Sequence, residues 1–165
     1  MGFAYDMARG KRGEDLVASI LEFGGIECTL NDDVKKNIDY DILCKIGKRK
    51  FKVEVKSDYM AEKTGNLAIE YYNTKKDTHS GLYATKAHIW VHCIKDGDNL
   101  TVWGTSVKTL KDFVKTETPE RIIDSGGDKN ASLLLYKDYH ILEIFEQLDN
   151  LEEKEIKKAI RKLLK

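Results

Sequence analysis

The stretch Ile38-Asp39-Tyr40-Asp41-Ile42-Leu43-Cys44-Lys45-Ile46-Gly47-Lys48-Arg49-Lys50-Phe51-Lys52-Val53-Glu54-Val55-Lys56-Ser57 decides how the chain is read. Tyr40, Ile42, Cys44 and Ile46 share one parity, and Phe51, Val53 and Val55 share one on the return; this period of two predicts two half-buried strands. Gly47-Lys48 connects them, and glycine first in a two-residue connection suits a type II′ hairpin. The resulting register pairs 46 with 49, 44 with 51 and 42 with 53, so apolar residues meet apolar residues. The same register sets Asp41 opposite Glu54 and Asp39 opposite Lys56, on the face away from Ile42, Phe51 and Val53.

Side chains directly opposed across two strands have Cβ atoms about 4.5–5.5 Å apart, and like charges there are destabilising unless something positive lies between them. A divalent cation fills that role. Mg²⁺ is usually held by one or two carboxylates completed by waters and substrate phosphate oxygens, the ligand set this hairpin offers. Lys56 falls on the same face, within reach of the same phosphate. The competing reading is a solvated strand face with an incidental ion pair.

Asp41 followed by Glu54-Val55-Lys56 between apolar strand residues, with the acidic helix start Gly13-Glu14-Asp15 upstream, resembles the PD-(D/E)XK nuclease superfamily. Within it, the likeness is to the small archaeal-type Holliday junction resolvases and related phage endonucleases, over roughly residues 10 to 94. Tyr40 stands where the family name has Pro, which leaves Asp39 and Asp41 competing for the first position; the pairing with Glu54 favours Asp41. The resemblance implies an α/β, restriction-endonuclease-like fold with a central mixed β-sheet flanked by helices, and Mg²⁺-dependent hydrolysis of DNA phosphodiesters, with Mn²⁺ as a substitute. It implies a catalytic set of Glu14, Asp41, Glu54 and Lys56, with the metal on Asp41, Glu54 and the Val55 carbonyl. A lysine between carboxylates and a phosphate is favoured in its charged form, so Lys56 is expected to stabilise charge on the phosphate rather than act as a base.

Composition bounds the rest. A chain of 165 residues, 41% hydrophobic, can bury one good core, and we expect a single nuclease domain of residues 1–165, its core over about 10–136 and C-terminal helices over 138–164. No run of 18 apolar residues is present and the first residues lack a signal-like apolar stretch, so no membrane span and a cytoplasmic location are expected. Cys28, Cys44 and Cys93, three in number and widely spaced, read as buried thiols rather than disulfides or zinc ligands. A net charge of zero opposes nucleic-acid binding as a bulk property, but charge is clustered: Arg9, Lys11 and Arg12 in one group, Lys45 to Lys52 in another, Lys75-Lys76, and Lys154 to Lys165. Arg9, Lys11, Arg12 and Lys52 are the candidate DNA contacts, Lys52 because it shares the face of Glu54.

Residues 1–9 read as an arm and 10–23 as an amphipathic helix stopped by Gly24-Gly25. Glu14 heads the helix stripe of Val17, Ala18 and Leu21, either completing a metal shell or complementing the helix dipole. A strand is expected over 26–30, a polar loop over 31–37, and a polar mobile connection over 57–65. The 66–72 strand carries Leu67, Ile69 and Tyr71 on one side and Glu70 on the other, near Lys56 or in solvent. Ser80 is the expected cap of a short helix through Lys86, a lysine that either reaches a phosphate or serves that helix's dipole. His88 and His92, in a strand over 87–94, stand roughly 13 Å apart, too far for one zinc ion. Asp96 to Asn99 reads as a hairpin turn, 100–103 as its return strand, and Thr105 or Ser106 as the cap of a helix to Lys115. The glycine-rich 124–130 segment lacks the Gly-Lys-Ser/Thr ending of a phosphate loop and reads as a turn before a strand over 131–136. Helices are expected over 138–148 and 150–164.

The expected function is a metal-dependent endodeoxyribonuclease. A chain this short leaves little room for a separate recognition domain, which favours structure-selective cutting of branched or junction DNA. A sequence-specific restriction-type or repair nuclease, and a non-catalytic nucleic-acid binder on the same fold, are the alternatives. Two symmetric incisions in a four-way junction require two sites, hence a homodimer. Its candidate surfaces are the 66–72 strand with Tyr71 and Tyr72, and the terminal-helix stripe Ile156, Ile160, Leu163 and Leu164, which could instead pack on its own domain.

Overall fold

The computed structural model describes residues 3–32, 39–124 and 130–165, with side chains from residue 9 onward. Ile38, most of the expected 31–37 loop and most of the glycine-rich 124–130 segment lie outside the described residues. In chain order the elements are α1 (Phe3–Phe23), β1 (Glu27–Leu30), β2 (Ile42–Ile46), β3 (Arg49–Asp58), α2 (Ala61–Thr64), β4 (Asn66–Asn73), β5 (Thr78–His79), β6 (Ile89–Asp96), β7 (Asn99–Ser106), α3 (Val107–Thr116), β8 (Arg121–Asp124), β9 (Ala131–Lys137), α4 (Asp138–Ile141), β10 (Glu146–Gln147) and α5 (Glu153–Leu163). Single 3₁₀ turns occupy Gly81–Tyr83 and Leu142–Ile144.

The fold is α/β, with a six-stranded mixed sheet of order β1-β2-β3-β6-β7-β10 flanked by helices. All its neighbours are antiparallel except β3 and β6, which run parallel. The hairpin has the expected register, with Ile46 opposite Arg49, Cys44 opposite Phe51 and Ile42 opposite Val53. Gly47 takes φ of +57° while Lys48 keeps a negative φ, the combination a type II′ turn requires. The pairing between strands ends at Ile42 and Val53, and beyond it the expected opposition of Asp39 to Lys56 is not formed. Asp39 instead forms an ion pair with Lys86 at 3.1 Å, and its carbonyl accepts the Lys86 amide.

Alternation explains the two cores. One parity of the sheet, with Ile42, Cys44, Phe51, Val53, Ile89, Val91 and Cys93, packs under Val17 and Leu21 of α1 and Ile156 and Ile160 of α5. The other parity presents Trp90 to a second cluster holding Leu67 and Ile69 of β4, Tyr136 of β9, Leu82, and Leu110 of α3. Each fully buried large apolar side chain of this kind contributes about 1.5–3 kcal/mol of transfer free energy. The hairpin is half-buried as expected, with Lys45 and Lys50 exposed and Leu43 and Lys52 half-buried on its other face; toward the end of β3 that face closes, and Glu54 is buried there at 6% exposure.

A second, four-stranded antiparallel sheet, β5-β4-β9-β8, is the main feature absent from the sequence reading. The expected 66–72 strand is an interior strand of this sheet, paired along its length with β9 and, at Tyr72 and Asn73, with the two-residue β5. The stripe of α5 packs inward, with Ile156, Ile160 and Leu164 buried.

Several boundaries differ for identifiable reasons. The helix expected from Gly10 begins at Phe3, since Ala4, Met7, Ala8 and Arg9 are good helix formers and one interior glycine costs only about 1 kcal/mol. The 57–65 connection is a built corner: Asp58 Oδ1 accepts the amides of Met60 and Ala61, at 3.0 and 2.8 Å, and starts α2. Ser80 makes no side-chain cap, and a 3₁₀ turn stands where a helix to Lys86 was expected. Ser106, one of the two candidate caps, accepts the Thr109 amide at 2.9 Å and opens α3. The helix expected over 138–148 stops at Ile141, because β7 captures the residues beyond it. Thr105 Oγ1 donates to the Ile144 carbonyl, Leu148 N–H donates to the Val102 carbonyl, and Phe145 is extended and buried. Helix α5 carries a capping box between Glu152 and Glu155.

The three cysteines are free thiols, Cys44 and Cys93 buried and Cys28 half-buried. No helix among the described residues is long and apolar enough to cross a membrane.

Candidate active site

Strand β3 carries Glu54, Lys56 and Asp58 on one parity, and the parallel pairing with β6 sets Trp90 beside Glu54 and His92 beside Lys56. Asp41 reaches this row from the residue just before β2. Its amide donates to the Val53 carbonyl at 2.9 Å, and its Oδ2 accepts the Val55 amide at 2.7 Å. The cross-strand meeting of Asp41 and Glu54 expected from the register is realised as an electrostatic one, just past the end of the ladder.

Glu14 arrives from α1. Gly13 makes this possible, because a Cβ there would stand 2.3 Å from Ser57 Oγ, so only glycine lets α1 lie this close to β3 without a shift. Glu14 lines a cavity of about 760 Å³ together with Asp41, Val55, Lys56, Asp58 and Glu70.

The electrostatics follow from crowding acids in a partly dry place. Burial, then the charge of Asp41, pushes the Glu14 carboxyl up to about 7. Burial, then the charge of Glu54, pushes Asp41 up to about 6, against the opposing pull of the Val55 amide and Lys56. Lys56 Nζ lies 2.7 Å from Glu54 Oε1 and 5.7 Å from the centre of the Trp90 ring. Burial works against its ammonium, yet Glu54, Asp41 and Glu70 outweigh that and hold its pKa above the usual lysine value. Glu54 Oε2 accepts a hydrogen bond from Thr85 Oγ1 at 3.3 Å.

A second row supports the first. Trp90 Nε1 donates to His92 Nδ1 at 3.1 Å, which leaves His92 Nε2 to carry a proton toward Asp58 Oδ2 at 3.5 Å. Burial alone would raise the Asp58 carboxyl, but His92 and the amides of Ala68 and Ala61 hold it below the usual carboxylate range. Sequence reasoning missed Trp90, His92, Asp58 and Thr85. Asp58 had a signal, continuing the parity of Glu54 and Lys56; the others depend on packing between segments distant in sequence.

The basic candidates divide. Arg9 lines the cavity with its guanidinium 4.2 Å from the centre of the Tyr59 ring. Lys52 shares the parity of Glu54 but lies over Tyr40, 4.9 Å from its ring centre, outside the cavity. Lys11 is paired with Asp32 at 2.9 Å and Asp15 at 3.5 Å, and Arg12 donates to the Asp98 carbonyl, so neither is directed into the cavity. Lys86 is held by Asp39. Glu70 joins the cavity wall, from the second sheet.

No group of three or more His, Cys, Asp or Glu side chains among the described residues is arranged to hold a metal by itself. Burial is the main cause of both elevations, and like charge adds to it, from Asp41 on Glu14 and from Glu54 on Asp41; a divalent cation would relieve that added repulsion. Both Glu54 oxygens are partnered, Oε1 by Lys56 and Oε2 by Thr85, so a Mg²⁺ there, which keeps several waters and needs few carboxylates, would share Glu54 with one of them.

No family model and no curated protein matches the sequence. Among solved structures, the chain is similar to the bacterial homing endonuclease I-Ssp6803I at 17% identity, covering 62% of this chain and 70% of that one, with a TM-score of 0.47. It is similar to Hjc, a Holliday junction resolvase of Archaeoglobus fulgidus, at 14% identity, covering 81% of this chain and 99% of that one, with a TM-score of 0.39. Both likenesses are partial in shape and low in identity, so the chemistry is read from the residues of the cavity.

Proposed function

We propose that the protein is a restriction-endonuclease-like, Mg²⁺-dependent DNA endonuclease of the PD-(D/E)XK kind, selective for DNA structure, with Mn²⁺ able to replace Mg²⁺. The observation that carries this reading is the gathering of Glu14 from α1, Asp41 from just before β2 and Lys56 from β3 around one cavity, with Glu54 buried behind Lys56 and paired with it. A non-catalytic binder has no use for two raised carboxyls, Glu14 and Asp41, beside the buried Lys56–Glu54 ion pair.

In this reading Asp41, Glu54 and the Val55 carbonyl hold the metal, with Glu14 beside them. When bound, Mg²⁺ supplies an activated water and polarises the scissile phosphate. Lys56, kept charged by its neighbours, faces the phosphate and stabilises the negative charge that develops on it. Trp90, through its ring and its N–H on His92, limits where the ammonium can sit. Arg9, backed by Tyr59 on the cavity wall, is the basic candidate to contact a phosphate there.

The test is a panel of labelled linear, single-stranded, flapped and four-way-junction DNA. Cutting is expected with Mg²⁺ or Mn²⁺ and not with Ca²⁺, whose looser geometry positions the water poorly. Lys56→Ala is expected to keep DNA binding and lose cutting by a factor of about 100 or more, on the order of a removed electrostatic stabiliser. Full activity in excess chelator sinks the metal-dependent reading.

A further inference from the structure

Glu14, Asp41 and Asp58 stand on one side of the cavity; the opposite side is largely apolar, with Glu70 of β4, paired with Leu133, the carboxylate on it among the described residues. That opposite side is the outward face of the second sheet, where Ala68 of β4, Leu133 and Leu135 of β9 and Ile123 of β8 line the space. The register makes this one continuous surface, with Ala68 opposite Leu135 and Ile123 opposite Leu133. Leu133, Leu135 and Ile123 are only half-buried, whereas the reverse face of the same sheet, with Leu67, Ile69 and Tyr136, is sealed in the core. A sheet that already has a sealed face does not need leucines on its other face for stability. These leucines share the cavity with Lys56 and Asp41.

A paired duplex has little to place against such a wall. Its bases are stacked on one another and show only their edges in the grooves, while the surface next to a scissile phosphate is sugar and charge. An unpaired nucleotide differs: its base has a free flat face that buries well on apolar and aromatic side chains, as single-strand binders and base-flipping enzymes exploit. Resting on the nuclease reading, the geometry points to a substrate strand that is unpaired at the cut, its scissile phosphate on the Lys56 side and the base beside it laid on Leu133 and Leu135. Arg9 over Tyr59 lies in the same cavity and takes a neighbouring phosphate. The cavity, about 760 Å³, is of the size that encloses a small organic ligand. Its size suits one or a few nucleotides of a single strand.

The experiment uses oligonucleotides of one sequence in three forms: single-stranded, fully paired, and paired with a short unpaired gap, each with adenines replaced by 2-aminopurine, which brightens when it leaves a base stack. Binding is read by fluorescence in Ca²⁺ and cutting separately in Mg²⁺. The single-stranded and gapped forms are expected to brighten on binding and to be cut at least 10-fold faster than the paired form. Leu135→Asn is expected to remove the brightening and about 10-fold of the cutting rate, while Leu135→Met, which keeps the wall apolar, retains both. Leu133→Asn serves as the second variant should Leu135→Asn lower the melting temperature. Equal cutting of paired and unpaired forms, or full retention by both Asn variants, overturns the inference while leaving a nuclease. Asn variants that spare the fluorescence signal and turn a dimer into a monomer assign the wall to a second copy of the chain and also overturn it. Brightening without any cutting supports the wall and removes the nuclease.

Discussion

Two acids carry the clearest residue-scale consequence. Glu14 is raised from 4.5 to about 7 and Asp41 from 3.8 to about 6, so between those limits the folded metal-free protein holds protons that the unfolded chain has released. Stability then falls as pH rises: the contribution of the pair is complete below about pH 4, declines from there, and is gone once Asp41 and then Glu14 have ionised in the fold. The denaturant midpoint of metal-free protein, followed from about pH 4.5 to 7.5, is expected to drop more steeply in the parent than in Glu14→Gln or Asp41→Asn. Parallel curves for parent and variants would show that these carboxyls are not under strain. The sequence disclosed this pair because both members lie close to patterns of short range: Asp41 precedes an alternating strand, and Glu14 heads a helical stripe. It did not disclose the surroundings of His92, because its neighbours Asp58 and Trp90 depend on how β3 and β6 pack.

At the scale of elements, the approach of α1 to β3 is set by one missing Cβ. Gly13→Ala brings that atom against Ser57 Oγ, an overpacking worth about 1–3 kcal/mol, from which about 1 kcal/mol is regained as helix propensity. A net loss near 1 kcal/mol is expected in thermal melts, with a fall in any metal-dependent activity as Glu14 is displaced. Adding Ser57→Ala leaves the new methyl 3.7 Å from Ser57 Cβ, an ordinary contact, and is expected to return both; failure of the double variant to recover places the fault elsewhere than this contact. The β2–β3 hairpin was legible for the opposite reason, since its register needs only a turn glycine and alternating residues within one short stretch. Strands β5, β8 and β10, of two to four residues, are too short to show a period. Residues 141–148 do carry helix-like spacing, and the edge of β7 overrides it by offering hydrogen bonds to the extended chain.

For the whole molecule, the substrate dictates how many copies act together. Resolution of a four-way junction requires two sites related by a two-fold axis, and one chain supplies one set of Glu14, Asp41, Glu54 and Lys56. If the substrate is such a junction, sedimentation at micromolar protein is expected to give a dimer, alone or on junction DNA. A monomer in both would replace the resolvase reading with that of a nickase or end-processing nuclease. Of the two candidate surfaces, the α5 stripe packs on α1 and the sheet of its own chain, and β4 is paired along its length with β9 and at Tyr72 and Asn73 with β5.

The order of the strands has a temporal side. Strand β3 pairs with β6 only after the intervening α2, β4 and β5 have been looped out, and β4 waits for β9, much later in the chain. Pairings so distant in sequence form slowly, since loop closure precedes any gain from contact. The β2–β3 hairpin can therefore form while the wall facing it does not yet exist. Pulsed hydrogen exchange during refolding should protect the amides of Phe51 and Val53 before those of Leu133 and Leu135; simultaneous protection would mean the two sheets assemble in one step. On that schedule the acids stand in open water for most of the folding time, and the enclosed chamber, with whatever selectivity it confers, is the last thing the chain acquires.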